Sequence, residues 1–164
     1  MSPISRMESD ACVNGSLSAK TLAIPSGTVV NDDVNASAAI AATKLEQRHV
    51  LTYGQTGNAA SATIPIHCVH GATATLIAFE AGSVAKAAGD STMTFDLKKN
   101  GTTCLSAVIT LDNDNTAYVA EAGTLSVTAA VDGDVLTIVT AATVGTGTLP
   151  TGCFCTLTLD EDPT

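Results

Sequence analysis

Short apolar–polar alternations separated by turn signals fill the chain from residue 62 to residue 159, and they limit its possible folds. In residues 92–97, Met, Phe and Leu alternate with Thr and Asp, a period of two that gives a β-strand one apolar face. Lys99-Asn100-Gly101 contains the Asn-Gly pair typical of tight hairpins. These signals predict about eight strands, over residues 62–70, 73–81, 91–97, 103–111, 116–121, 123–131, 135–142 and 152–159.

Strands of this number and spacing indicate an all-β fold, and we expect a β-sandwich or jelly-roll-like domain of antiparallel strands. Strands do not alternate with helices, which argues against the parallel α/β folds that bind nucleotides. Only 3% of the residues are aromatic and none is Trp, so little of the usual lining of a small-molecule pocket is available. The length of 164 residues suits one such domain, at residues 51–164, preceded by an arm.

Residues 1–34 differ from the β-domain because their apolar residues are isolated in pairs. Leu22 and Ile24 lie in one short extended stretch, and Val29 and Val30 follow after a Pro-Ser-Gly turn. This is too little apolar surface to build a core. We therefore expect an extended N-terminal arm that is either disordered or laid along another surface.

Residues 35–50 carry the strongest helix signal in the chain. Asn35 or Ser37 can cap a helix, and small residues and a Leu then recur with i, i+3, i+4, i+7 spacing. A helix of this length is marginal alone in water, so its small-residue face must be covered by a partner. We predict a short Ala-rich helix or neck at residues 35–50. The predicted partner and assembly interface consists of Leu22, Ile24, Val29, Val30, Ala38, Ile40, Ala41, Ala42 and Leu45.

Sixteen acidic residues against seven basic ones give the chain a net charge of −9. Such a surface repels nucleic-acid phosphates and anionic membranes, so we expect neither as a partner. Charged residues make up 14% of the chain, below the roughly 25% usual in soluble domains, which is typical of extracellular or virion β-proteins. The first residues include Glu8 and Asp10 and no apolar core of a secretory signal. We expect cytoplasmic synthesis without a signal peptide.

The cysteines are odd in number, five in all, and we expect them to be reduced because no secretory signal is present. In a strand, Cys153 and Cys155 point to the same face. Both are predicted to be small buried apolar side chains, and no local set of further ligands completes a zinc site with them.

Two histidines flank a cysteine in the segment IHCVHG. His67 and His70 are three residues apart, which places them on opposite faces of a regular strand. They could share a metal ion only if the strand bulges, whereas Cys68 and His70 share a face. We interpret both as β-edge or interface histidines, and His49 as a residue near a helix C-terminus, where the dipole favours it.

Two turn segments, Asp112-Asn113-Asp114-Asn115 and Asp132-Gly133-Asp134, carry the oxygen ligands that Ca²⁺ prefers. Neither matches the spaced calcium loop that closes on a Glu, and turn chemistry explains both. The chain has no Gly-x-Ser-x-Gly motif, and Gly145-Thr146-Gly147 lacks the strand–helix context of a dinucleotide loop. We predict no catalytic, cofactor or metal residue, and no enzyme activity.

The segment SLSAKTLAIPSGTVVNDDVNASAAIAATKL resembles the N-terminal segment of small tailed-bacteriophage virion proteins, with residues 35–45 carrying the Ala-rich motif. The segments IHCVHGATATLIAFEAG and FDLKKNGTTCLSAVITLDNDNTAYVAEAGTLSVTAAVDGDVLTIV resemble the β-domain of the same group. The resemblance extends from Ser16 to Asp162. The Ala-rich motif recurs in tail fibres, head fibres and decoration proteins alike, so the resemblance implies a virion component without giving its place.

We therefore expect a capsid decoration protein, of the cement or head-fibre kind, on the outer capsid surface of the virion. The resemblance implies a homotrimer, and the arm would dock on the major capsid protein. The alternative is a tail or baseplate adhesin that binds a tail protein and a host-surface glycan. A small β-fold hydrolase is the weakest of the three hypotheses, because no constellation of residues forms a catalytic site.

Overall fold

The computed structural model describes residues 46–164, which form two antiparallel sheets and contain no helix within that range. This confirms the predicted all-β class and is consistent with a β-sandwich. The strands in chain order are β1 Gln47–Gly54, β2 Ala62–Cys68, β3 Ala72–Ala85, β4 Thr92–Lys99, β5 Thr102–Thr103, β6 Ile109–Leu111, β7 Ala120–Gly123, β8 Ala129–Ala130, β9 Val135–Thr143 and β10 Thr151–Pro163.

Each sheet contains five strands. Sheet A has the order β1-β10-β3-β7, and β8 also pairs with β3; sheet B has the order β2-β9-β4-β5, and β6 also pairs with β4. The short strands β5 and β6 lie along the same long neighbour, and so do β7 and β8. Each sheet therefore has three long strands and one interrupted edge.

The core is built by the alternation that the sequence predicts. On β4, Met93, Phe95 and Leu97 are fully buried, while Thr94 and Asp96 between them are half-buried. On β10, Leu157 and Leu159 are equally buried. Because side chains of a strand alternate between its faces, one face of each sheet supplies a single apolar cluster that both sheets share.

The predicted helix at residues 35–50 is wrong in its last part, because residues 47–50 begin β1. His49, Leu51 and Tyr53 are less exposed than their neighbours, and β1 pairs along its full length with β10. Tertiary pairing here overrides a local helical pattern. Residues 35–45 lie outside the described residues, as do those of the predicted arm.

Three predicted strands are shorter than expected, at residues 103–111, 116–121 and 123–131. The chain leaves sheet B after Thr103 and closes the side of the molecule, where Leu105 forms a bridge with Leu125. The N–H of Ser126 donates to the carbonyl of Cys104 at 2.7 Å. The apolar–polar alternation continues through the segments around Leu105 and Leu125. These segments do not extend the neighbouring strands, because they form backbone hydrogen bonds with each other.

The two ends of the domain differ in their connections. At one end β1 begins, and short turns at residues 69–71, 100–101 and 131–134 connect strands that follow one another in the chain. We call this the turn end. At the other, which we call the loop end, lie the longer connections at residues 55–61, 86–91, 112–119 and 144–150.

Candidate functional site

The predicted assembly interface lies outside the described residues. All nine of its residues, from Leu22 to Leu45, precede Glu46, the first residue that the structure describes. The interface therefore stays a prediction, and none of its residues belongs to the described surface.

The loop end exposes apolar side chains that a soluble surface would normally cover. Tyr118 is 75% exposed and Val144 is 70% exposed. Val84 and Val119 are also more exposed than most apolar residues of the domain. Four of the eight large apolar side chains that are exposed in residues 46–164 lie at this end, including the two most exposed, Tyr118 and Val144, and these two make the loop end a candidate contact surface.

Tyr118 is held in an uncommon backbone conformation. Its φ is 62°, in the left-handed region that residues other than glycine rarely adopt. Its N–H donates to the carbonyl of Ser83 at 2.8 Å, and the N–H of Val119 donates to the carbonyl of Thr116 at 3.2 Å. Backbone strain of this kind concentrates at functional positions, so Tyr118 is the strongest single candidate for a contact residue at this end.

Phe154 extends the apolar surface onto the outer face of sheet A. A Cβ added to Gly82 would lie 2.6 Å from Cζ of Phe154 and 2.7 Å from the carbonyl oxygen of Val119. The ring therefore lies directly over Gly82, in a space that only glycine leaves open. Val84 closes the same surface, since a Cβ on Gly152 would lie 2.8 Å from its Cβ. We call Val84, Tyr118, Val119 and Phe154 the apolar patch.

The loops of this end are fixed to one another. The carboxylate of Asp90 accepts hydrogen bonds from the N–H and, at 2.9 Å, from the hydroxyl of Thr146, and these bonds lower the pKa of Asp90. Ala88 and Thr148 exchange backbone bonds of 2.9 and 3.2 Å. Nζ of Lys86 donates to the carbonyl of Asn113 at 2.9 Å. A surface on such loops is preorganised for contact.

The two acidic turns use their oxygens internally. The N–H of Asp112 donates to Oδ1 of Asn115 at 2.5 Å, and the N–H of Asp114 donates to Oδ1 of Asp112 at 2.9 Å. Asp132 accepts the N–H of Gly71 at 2.8 Å. Asp134 accepts Nδ2 of Asn100 at 2.6 Å and the N–H of Val131 at 2.9 Å, and these bonds lower its pKa against the opposing effect of burial. The turn interpretation is supported at both segments.

A polar cluster that the sequence did not predict lies at the turn end. Nε2 of His67 is 2.7 Å from Oε1 of Glu161, and Nε2 of His49 is 3.1 Å from Oε2 of the same carboxylate. The two rings lie 5.8 Å apart between centroids. His70 does not join them; it is exposed and lies 3.4 Å from Asp132. The alternation of His49 with Leu51 and Tyr53 is the sequence signal that could have placed His49 here.

Next to this cluster, Arg48 and Asp160 form a two-pronged ion pair. Nε and Nη2 of Arg48 donate to the two carboxylate oxygens of Asp160, each at 2.6 Å. The hydrogen bonds lower the pKa of Asp160 and raise that of Arg48. The pair joins β1 to β10 on the face opposite Glu161.

The cysteines of the described part are unpaired thiols. Cys153 and Cys155 are buried on the same face of β10, which confirms that prediction. Burial raises the pKa of Cys153 to about 11 and that of Cys155 to about 12. Thiols with such pKa values are poor nucleophiles at neutral pH, so these residues act as packing groups.

No protein-family model matches the chain, and no curated protein is significantly similar to it. Residues 46–164 also contain no helix long and apolar enough to cross a membrane.

Proposed function

We propose that the chain is a structural component of a tailed-phage virion, a decoration protein of the outer capsid surface. The segment before residue 46 docks on the major capsid protein, and the β-domain projects from the shell. The observation that carries this proposal is that the two ends of the domain differ. The preceding segment joins it at the turn end, whereas the exposed apolar patch lies at the loop end.

The strand order supports the proposal. When β5 and β6 are counted as one interrupted strand, and β7 and β8 as another, each sheet has four positions. The orders then become β1-β10-β3-β7/β8 and β2-β9-β4-β5/β6, in which consecutive positions lie in opposite sheets except for β4 and β5/β6, which pair within sheet B. This order supports the jelly-roll-like arrangement that we expect, an architecture frequent in viral capsid and lectin domains. Shared architecture is an analogy and does not itself carry a function.

The surface of the domain suits a packed outer shell. The net charge of −9 keeps the protein away from packaged nucleic acid. We infer a homotrimer, because small side chains such as Ala38, Ala41 and Ala42 allow close helix packing. The oligomeric mass of the full chain, compared with that of a chain lacking residues 1–45, tests this inference. The cut keeps β1 whole, whereas removal of residues 1–50 would delete half of it.

Electron microscopy of phage particles without this protein tests the location. We expect loss of a regular density on the head and shells that rupture more readily on heating or on chelation of divalent ions. Heads with the same surface density and stability as the parent, or loss of density at the tail, would contradict the proposal.

Tyr118 favours one alternative, a tail or baseplate adhesin that binds a host-surface glycan. An exposed aromatic ring held by a strained backbone is a suitable platform for a sugar ring. Glycan-array binding by the purified protein, lost in Tyr118→Ala and kept in Val144→Ala, would support the adhesin. Both variants remove an exposed side chain from the loop end, so the pair separates the aromatic ring from general apolar contact.

A further inference from the structure

Three side chains from three strands meet at the turn end, where the edge strands of the two sheets approach each other. His49 lies on β1, His67 on β2 and Glu161 on β10. Their side chains are 32%, 18% and 14% exposed. Both histidines direct Nε2 to one carboxylate, one to each oxygen, at 3.1 and 2.7 Å. The cluster is half-enclosed and keeps one side open to solvent.

A β-bulge places His67 in this cluster. Pro65 pairs with Thr137, and His67 pairs with Leu136, so the register shifts by one residue between them. Leu136 is fully buried, and its partner therefore faces the interior as well. Without the extra residue, His67 would face outward like Pro65. A bulge that turns the side chain of His67 into a polar cluster indicates that the backbone positions this imidazole for contact with the cluster.

One atom of the cluster has no hydrogen-bond partner. Nε2 of His49 is buried and makes no hydrogen bond, although Oε2 of Glu161 lies 3.1 Å away, because the atoms are not aligned for one. A buried polar atom without a partner is rare and points to a missing water or ion. Close approach without alignment is what two ligands of one metal ion show.

We propose that His49, His67 and Glu161 bind one divalent transition-metal ion of the zinc type. Two imidazole nitrogens and one carboxylate oxygen are a donor set that suits Zn²⁺ and disfavours Ca²⁺ or Mg²⁺. Solvent on the open side supplies the fourth ligand. The site does not depend on the proposed virion function and can exist without it.

Only a small adjustment separates the observed cluster from coordination. As the side chains of residues 46–164 stand, no three of them could hold a metal ion, so coordination requires this cluster to rearrange. Two imidazoles that bind Zn²⁺ tetrahedrally at about 2.1 Å have ring centroids about 5.2 Å apart, and their donors lie about 3.4 Å from a third ligand. The observed centroids are 5.8 Å apart, whereas the nitrogen–oxygen distances of 2.7 and 3.1 Å are shorter than coordination requires, so the carboxylate has to move away from both rings and give up its hydrogen bond with His67. The rings have to approach by a fraction of an ångström.

Within residues 46–164, no lysine or arginine pairs with the carboxylate of Glu161. The neighbouring basic residue, Arg48, is engaged by Asp160 through two bonds. An ion here would join β1 and β10 of sheet A to β2 of sheet B, so its binding free energy would stabilise the folded domain.

Titration of the full chain with Zn²⁺ and with Co²⁺, under reducing conditions, tests the proposal. We expect one ion per chain, a Co²⁺ absorption spectrum of nitrogen and oxygen ligands without thiolate bands, and a higher Tm with Zn²⁺. Substitutions His49→Gln, His67→Gln and Glu161→Gln should each weaken binding by more than about tenfold, the loss that even an outer-shell partner causes. His70→Gln and Cys68→Ser are the matched controls and should bind as the parent does.

The wild-type protein provides a test that does not depend on how the variants fold. The chain has only three histidines, so their ring signals are readily resolved by NMR. Zn²⁺ should shift the ring signals of His49 and His67 and leave those of His70 unchanged. Failure to saturate at one ion per chain, a shift confined to His70, or thiolate bands that disappear in Cys68→Ser would overturn the proposal.

Discussion

The two ends of the β-domain differ in what holds them and in what they expose. At the turn end, short turns are closed by side chains, and Asp134 is buried among donors from Asn100 and Val131. At the loop end, the carboxylate of Asp90 makes a similar pair of bonds while exposed, and the large exposed side chains are apolar. We infer that the turn end chiefly maintains the pairing of the sheets and that the loop end chiefly presents a surface.

A core substitution should weaken both ends together and has the largest expected effect. Phe95→Ala removes a fully buried ring and should lower the free energy of unfolding by about 3 to 5 kcal/mol. Phe154→Ala is the matched control, because this ring is half-buried on the outer face and should cost about 1 kcal/mol. Urea unfolding measures both, and equal losses would contradict the assignment of the core.

Substitution of Asp134 and of Asp90 should show that the two ends contribute differently to stability. Asp134→Asn removes the charge of a buried turn and replaces one of its two acceptor oxygens with an NH2 group, and we expect Tm to fall by several degrees, because one donor loses its acceptor and both lose a charged partner. Asp90→Asn changes an exposed acceptor, so a smaller fall is expected. Differential scanning calorimetry compares the two variants. A larger effect at Asp90 would reverse the roles that we assign to the ends.

Acid should destabilise the domain through the same carboxylates. The pKa values of Asp90, Asp134 and Asp160 are below their usual 3.8 in the folded protein, so the unfolded chain binds more protons. Their contribution is present above pH 3.8 and is lost as the pH falls through the folded-state values. Urea unfolding at stepped pH should show this decline, and Asp134→Asn should show a shallower one. A variant curve that runs parallel to the parent would exclude a role for Asp134.

Replacement of Tyr118 should have the smallest effect on stability, and in the opposite direction. Tyr118→Gly removes an exposed ring and relieves a positive φ. The free energy of unfolding should rise by about 0.5 to 1 kcal/mol, because glycine adopts this conformation without steric cost. Thermal unfolding measures the change. A clear loss of stability would show that the ring packs against the domain rather than serving contact with a partner.

The long strands of the molecule could be predicted from the sequence because local pattern and tertiary burial agree there. The alternation of residues 92–97 gave β4 its buried face, and Asn100-Gly101 forms the predicted hairpin, with φ of 49° and 85°. The prediction is wrong at residues 47–50, because Gln-Arg-His-Val can also form the polar end of the helical pattern that precedes it. Pairing with β10, over a hundred residues away in the chain, decides that segment.

The candidate sites were harder to predict, because they depend on irregular backbone. The bulge between Pro65 and His67 reverses the side to which His67 points, and a period of two cannot indicate where a register shifts. Tyr118 is an ordinary aromatic in the sequence, and only its positive φ distinguishes it. The cluster of His49, His67 and Glu161 joins strands of both sheets, so no local spacing could reveal it.

Gold labelling of the two ends on intact virions tests the central claim most directly. Cysteines introduced at Tyr118 and at His70, each in a chain that also carries Cys12→Ser and Cys68→Ser, mark the loop end and the turn end, because the other three cysteines are buried. The account predicts label on the head in both cases, with the Tyr118→Cys label farther from the shell than the His70→Cys label. Label on the tail, or the reverse radial order, would contradict it.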